Sequence, residues 1–146
     1  MEAQTLPLDL NESKPYATLR QLVDQLSLSL LPQTVQQKSL IVNDVQQEMF
    51  VNTDKNILAS VLSSLLNITI LHSQNNCIRV SAKLFGNITL VHVKNNDSSL
   101  DGAIAHRLKQ IQPLAEKLGG CVAVTHNKIK GTTVAFTFNN NQFFAA

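Results

Sequence analysis

From Cys77 to Lys94 the chain reads CIRVSAKLF, then Gly86, then NITLVHVK, and apolar and polar residues alternate through much of both runs. Alternation marks a strand with one covered face, because successive side chains leave opposite sides of a sheet. Only Phe85-Gly86-Asn87 joins the runs, and glycine accepts the positive φ that a tight turn demands. The segment predicts an antiparallel hairpin, and the rest of the chain must cover its apolar face.

Helical spacing supplies the cover. Leu19, Leu22, Val23, Leu26 and Leu30 recur at three and four residues, with Pro15 suited to a first turn and Pro32 to a stop. SLIVNDV (39–45) predicts a strand, and MFV (49–51) a second short one. Thr53 is the expected N-cap of a longer helix, with Asp54 in its positive first turn. That helix buries Ile57, Leu58, Val61, Leu62, Leu65 and Leu66, turns Ser60, Ser63, Ser64 and Asn67 outward, and ends near His72. After a loop at 94–102, a third helix covers about 104–118, with Pro113 placed to kink or split it. Gly119-Gly120 ends it, and strands at about 121–125 and 132–138 follow. Helices separated by antiparallel strand pairs predict an α+β, two-layer sandwich. The domain is expected at 15–138, with a flexible arm at 1–14 and a tail at 139–146.

Composition narrows the function. At 146 residues and 44% apolar content the chain suits one globular domain. The net charge is only +2, the basic residues are scattered, and seven aromatics are present (six Phe, one Tyr). A nucleic-acid surface needs a concentrated basic stripe, so no nucleic-acid partner is expected. No apolar run approaches the ~18 residues of a membrane span, and the start MEAQTLPLDLNE carries no signal core, so a cytoplasmic protein without membrane insertion is expected. Cys77 and Cys121 are expected as buried free thiols. The four histidines lie on different elements, without metal-ligand spacing.

Three segments carry a resemblance: VNTDKNILASVLSSLLNITILHS, ITLVHVKNNDSS, and the closing LAEKLGGCVAVTHNKIKGTTVAFTF. Together they resemble the ATP-binding domain of sensor histidine kinases, the Bergerat fold, over about 18–138. The resemblance implies a mixed, mostly antiparallel sheet covered on one face by three helices. It also implies ATP held by an "N box" helix, an Asp-x-Gly-x-Gly adenine site and a glycine-rich lid.

The chemical positions depart from that pattern. VLSSLLNITI laid on the family's Val-Leu-x-Asn-Leu-Leu-x-Asn-Ala-Ile puts Ser64 at the first Asn and Ile68 at the second, the magnesium ligand. Magnesium takes hard oxygen ligands, and isoleucine has none. Asn67 is adjacent, but one helical step turns it by about 100°. Asn95 stands at the family's adenine-binding Asp, and Asp97 and Ser99 replace its two glycines. An Asn oxygen still accepts, at about half the strength of a charge-assisted bond. The lid position reads Ala105-His106-Arg107-Leu108, with no glycine to open a backbone nest. Gly131-Thr132 matches the family's entry to the last strand.

Residues 1–35 contain no His, so a phosphoacceptor helix is expected only outside this chain. The function expected is that of a histidine-kinase-like domain with degenerate nucleotide chemistry. It would act by contact with a signalling protein such as a response regulator or a kinase module. No cofactor is expected on that reading. The alternative is a working ATP-binding domain that takes ATP and Mg²⁺, with Ser64, Asn67, Asn95, Asp97 and Thr132 at the nucleotide, no metal ligand among them so that Mg²⁺ is poorly held, and a dimerisation module elsewhere.

Overall fold

The computed structural model describes residues 18–96, 102–127 and 131–140. Pro15, the arm, Asp97, Ser99 and residues 141–146 of the tail lie outside them.

Helix α1 (Leu19–Ser29) opens on a capping box, in which the Thr18 hydroxyl accepts from the Gln21 amide and the Gln21 side chain accepts from the Thr18 amide. Pro32 does not stop the first helix as expected. α1 ends at Leu30, and Pro32 sits in the first turn of a separate helix, α2 (Leu31–Gln36). There its missing N–H costs nothing, since first-turn amides lack intrahelical partners anyway. The expected three helices thus become four among the described residues.

Strand β1 (Leu40–Asn43) is shorter than the sequence implied. Met49–Val51 is not a strand: Phe50 makes one isolated bridge to Thr18, while Met49 and Val51 are buried. Helix α3 (Lys55–Leu71) is capped by Asp54 rather than Thr53, its carboxylate accepting from the amides of Asn56 and Ile57 at 3.0 and 3.1 Å. A carboxylate there satisfies orphan amides and meets the positive helix end.

The hairpin stands as read, with β2 (Cys77–Phe85) and β3 (Ile88–Asn95) pairing antiparallel from Phe85↔Ile88 to Ile78↔Asn95. Helix α4 (Gly102–Lys117) runs through Pro113 without splitting. Strand β4 (Val122–Asn127) and strand β5 (Gly131–Asn139) complete the chain. β5 runs one residue past Phe138, and Asn140 behind it is buried.

The five strands lie in the order β1-β2-β3-β5-β4, with β1 parallel to β2 and every other pair antiparallel. Registers carry the alternation across the sheet: Val80, Val93, Val134 and Val124 share one row, and Ala82, Val91, Phe136 and Val122 the next. On that face lie Leu58, Leu62, Leu65 and Leu66 of α3, Leu108 and Ala115 of α4, and Leu19 and Leu22 of α1, in one continuous core. Each of these leucines contributes roughly 1.5–3 kcal/mol on leaving water. Arg79 and Lys94 on the other face are exposed. This is the two-layer α+β sandwich, with a mixed, mostly antiparallel sheet covered on one face.

The cysteines correct an expectation. Cys121 is exposed and Cys77 half-buried, both as free thiols; Cys77 is the first residue of β2 and Cys121 immediately precedes β4.

Candidate functional site

Helix α3 has two jobs set by its periodicity. Leu58, Leu62, Leu65 and Leu66 face the sheet, and the residues left over face α4. Ser64 and Asn67, one turn apart, are half-buried along a groove of about 510 Å³ between these helices. Across it stand His106, Arg107 and Gln110 of α4, and Ile68, Ile111 and Leu114 line it as well. Ile68 is 7% exposed, held by the core rather than presented to the groove as a ligand. Among the described residues, no carboxylate lines the groove, and no cluster of three or more His, Cys, Asp or Glu is suited to a metal.

Asn95 and Thr132 are brought together elsewhere, as register partners on β3 and β5, both buried. Asn95 closes a chain of bonds that runs back into α3. Its Nδ2 donates to Ser73 Oγ at 2.5 Å, and Ser73 Oγ donates to the Thr69 carbonyl at 2.6 Å. Ser73 has one hydroxyl proton, and Thr69 receives it. Its oxygen can then only accept, so the residue at position 95 must present a donor to it, which an ionised Asp lacks. Ser73 was missed in the sequence. The one available signal was its place four residues after Thr69, the spacing at which a helical Ser bonds back to a carbonyl.

Gly131 fixes the backbone beside this pair. A Cβ placed there would lie 2.2 Å from the Asn95 carbonyl oxygen, and its φ is +91°. The start of β5 therefore presses on the end of β3 as only glycine allows. Asn76, also missed, ties the same corner: its side-chain oxygen accepts from the amides of Cys77 and Asn96. Asp97 lies outside the described residues.

No family model and no curated protein matches the chain. Solved structures do. The Acinetobacter baumannii histidine kinase AdeS superposes with a TM-score of 0.73 at 14% identity, over 92% of this chain and 74% of that one. The nucleotide-free catalytic domain of histidine kinase ThkA gives 0.71 at 14%, over 84% and 93%. ThkA in complex with the response regulator TrrA gives 0.68 at 12%, over 84% of this chain and 40% of that one. The chain has the histidine-kinase catalytic-domain fold.

Within that fold, the described residues that line the groove do not fit magnesium. The oxygens that α3 brings to the groove are the neutral ones of Ser64 and Asn67, and Ile68 offers none. A small, hard dication that sheds water reluctantly is held by carboxylates and phosphates in octahedral geometry, which this donor set does not supply. Asn95 engages Ser73 through its Nδ2. Among the described residues, no helix is long and apolar enough to cross a membrane.

Proposed function

We propose that this histidine-kinase-like domain has lost magnesium–nucleotide chemistry and serves a two-component-type signalling system through protein contact. The observation that carries the reading is Ile68, an apolar side chain 7% exposed, at the position where the resemblance calls for a magnesium ligand. The Asn95–Ser73–Thr69 chain supports it, since it holds at position 95 an amide that donates to Ser73, where the family's ionised Asp could not. The partner proposed is a response regulator or a kinase module. ThkA, which shares the fold, has been solved in complex with its response regulator TrrA. The arrangement of Gly131 and Thr132 against Asn95 is what favours the alternative, a working ATP-binding domain.

A thermal melt with and without excess Mg²⁺–ATP separates the two. A ligand at 100 times its dissociation constant adds about 2.7 kcal/mol, which is several degrees for a chain of this size. The expected result is no shift with ATP or ADP, with magnesium or with chelator. A nucleotide-dependent rise of several degrees rejects the reading in favour of the alternative.

A further inference from the structure

β4 is an outer strand of the sheet, and one part of its free edge is already occupied. The Cys121 carbonyl accepts from the Thr137 amide at 2.9 Å, so the backbone at 121 turns toward β5. At Val122 it turns outward. The Val122 amide donates to Gln112 Oε1 at 2.6 Å, and the Val122 carbonyl accepts from Gln112 Nε2 at 2.9 Å. The side chain of Gln112 thus pairs with Val122 as the peptide group of a neighbouring strand would. Antiparallel ladders alternate, so Val124 and His126 also aim N–H and C=O outward, and none of the described residues bonds to these groups. The run VAVTHN (122–127) has no Lys, Asp, Glu or Pro, residues that blunt an exposed edge. Helix α4 walls the opening: Ala105, Leu108, Lys109 and Gln112 face Val122, Ala123 and Val124 across a pocket of about 230 Å³.

We propose that this slot takes an extended segment of a partner protein. The segment adds a strand to β4 at Val124 and His126, seats one aliphatic side chain in the pocket and brings a carboxylate to Lys109. The proposal names a surface for the protein-contact part of the function proposed above, on which it rests.

Three observations select this occupant. Outward N–H and C=O groups on alternate residues are complemented by an extended backbone and not by a helix, whose own amides are bonded internally. Lys109 is exposed and is the sole charged residue among the described ones lining the pocket, which sets the sign of the complementary charge. A second copy meets a steric limit. Gln112 reaches the outward groups of Val122, so α4 stands over the edge. Twofold pairing of β4 with itself, at about 4.8 Å between strands, sets two α4 helices on one side of the sheet, closer than the about 8–10 Å that packed helices need. The pocket is also smaller than the roughly 300–1,000 Å³ of small-molecule clefts, which suits one side chain of a peptide.

The probe is an acetylated eight-residue peptide of alternating valine and threonine that ends in two glutamates, titrated into the whole isotope-labelled chain. Amide shifts are expected over 105–112 and 122–127. The Val124 and His126 amides should gain at least tenfold protection from hydrogen exchange, while Thr125, turned toward β5, changes little. N-methylating one alternate set of peptide amides should weaken binding at least tenfold, and methylating the other set should not, because only one set faces β4. Lys109→Glu should weaken the peptide at least fivefold with an unchanged melting temperature and favour one ending in two lysines. Gln112→Ala should free the Val122 amide and let bound peptide protect it as well. No binding at millimolar peptide, equal tolerance of both methylated sets, protection without the alternation, or indifference to Lys109→Glu would overturn the proposal. So would a concentration-dependent dimer that protects the same two amides, or binding that appears only once residues 1–17 or 141–146 are removed, which give the edge to a second copy or to the chain's own ends. None of these outcomes bears on the Mg²⁺–ATP melt, so the two proposals fail separately.

Discussion

Restoring the family's acid at position 95 is the sharpest perturbation of the site. Asn95→Asp exchanges one heavy atom, Nδ2 for an oxygen, in a side chain that is 3% exposed. The amide donor to Ser73 Oγ disappears, and Ser73 has already given its proton to Thr69. Two oxygens then face each other without a proton unless Ser73 abandons the Thr69 carbonyl. Leaving one buried polar group without its partner costs about 1–3 kcal/mol. Burying the new carboxylate adds about 1.36 kcal/mol for each unit by which desolvation raises its pKa. A total of about 2–4 kcal/mol is expected at pH 7, a shift in the urea midpoint on the order of 1 M or more. The pH dependence has a definite sign. The folded-state pKa of the introduced Asp is raised above its unfolded value of about 3.9, so the deficit is full above the folded pKa. It shrinks as the pH falls through that value and vanishes below the unfolded one, because the protonated acid regains a donor for Ser73. Urea unfolding of both proteins at pH 7 and pH 5 reads the difference, and Mg²⁺–ATP melts of the variant read its ligand response. A variant as stable as the parent at pH 7, a deficit that grows on acidification, or a gain of Mg²⁺–ATP stabilisation would refute the reasoning.

Five further substitutions, two of them controls, test the frame around the site. Gly131→Ala drives a Cβ to 2.2 Å from the Asn95 carbonyl at φ +91°, whereas Gly86→Ala at φ +63° meets nothing within 4 Å. Chemical denaturation should show a loss of about 1–2 kcal/mol for Gly86→Ala and at least 3 kcal/mol for Gly131→Ala, the excess being the clash. Asn140→Ala removes a 1%-exposed side chain that accepts from the Asn52 amide and donates to the Phe50 carbonyl and to Thr89 Oγ1. Its loss should cost about 2–4 kcal/mol in the same assay, through the groups it orphans. Asp54→Ala uncaps α3 and should cost about 1 kcal/mol, whereas Thr53→Ala should cost a few tenths at most.

What the sequence disclosed follows from what each period reports. The β2–β3 hairpin and the inner face of α3 rest on many residues that repeat one choice, apolar in and polar out, so single exceptions do not disturb them. Boundaries rest on single residues with more than one use. Pro32 ends a helix and begins one with equal steric logic, and Thr53 and Asp54 both cap helices, so only the backbone's actual course selects between them. Ser64 and Asn67 were legible as outward residues of α3, but their neighbours His106 and Arg107 come from a helix more than thirty residues on. Ser73 was opaque for a different reason. Its role depends on a proton's direction, set jointly by Thr69 on α3 and Asn95 on β3, and no linear pattern encodes it.

The same distinction decides which resemblances bear on nucleotide. Gly131 matches the family's ending, yet its close approach to Asn95 and Asn96 is a backbone requirement of the β3–β5 junction with or without a ligand. A glycine forced by packing carries little information about binding. Ile68 belongs to the core as well, at 7% exposure, yet it also lines the groove, so its identity bears on both. An apolar residue there adds burial and removes the one oxygen that a metal would need. Ile68 and Asn95 both serve packing, so their identities alone do not decide the matter, and the Mg²⁺–ATP melt is the measurement that does.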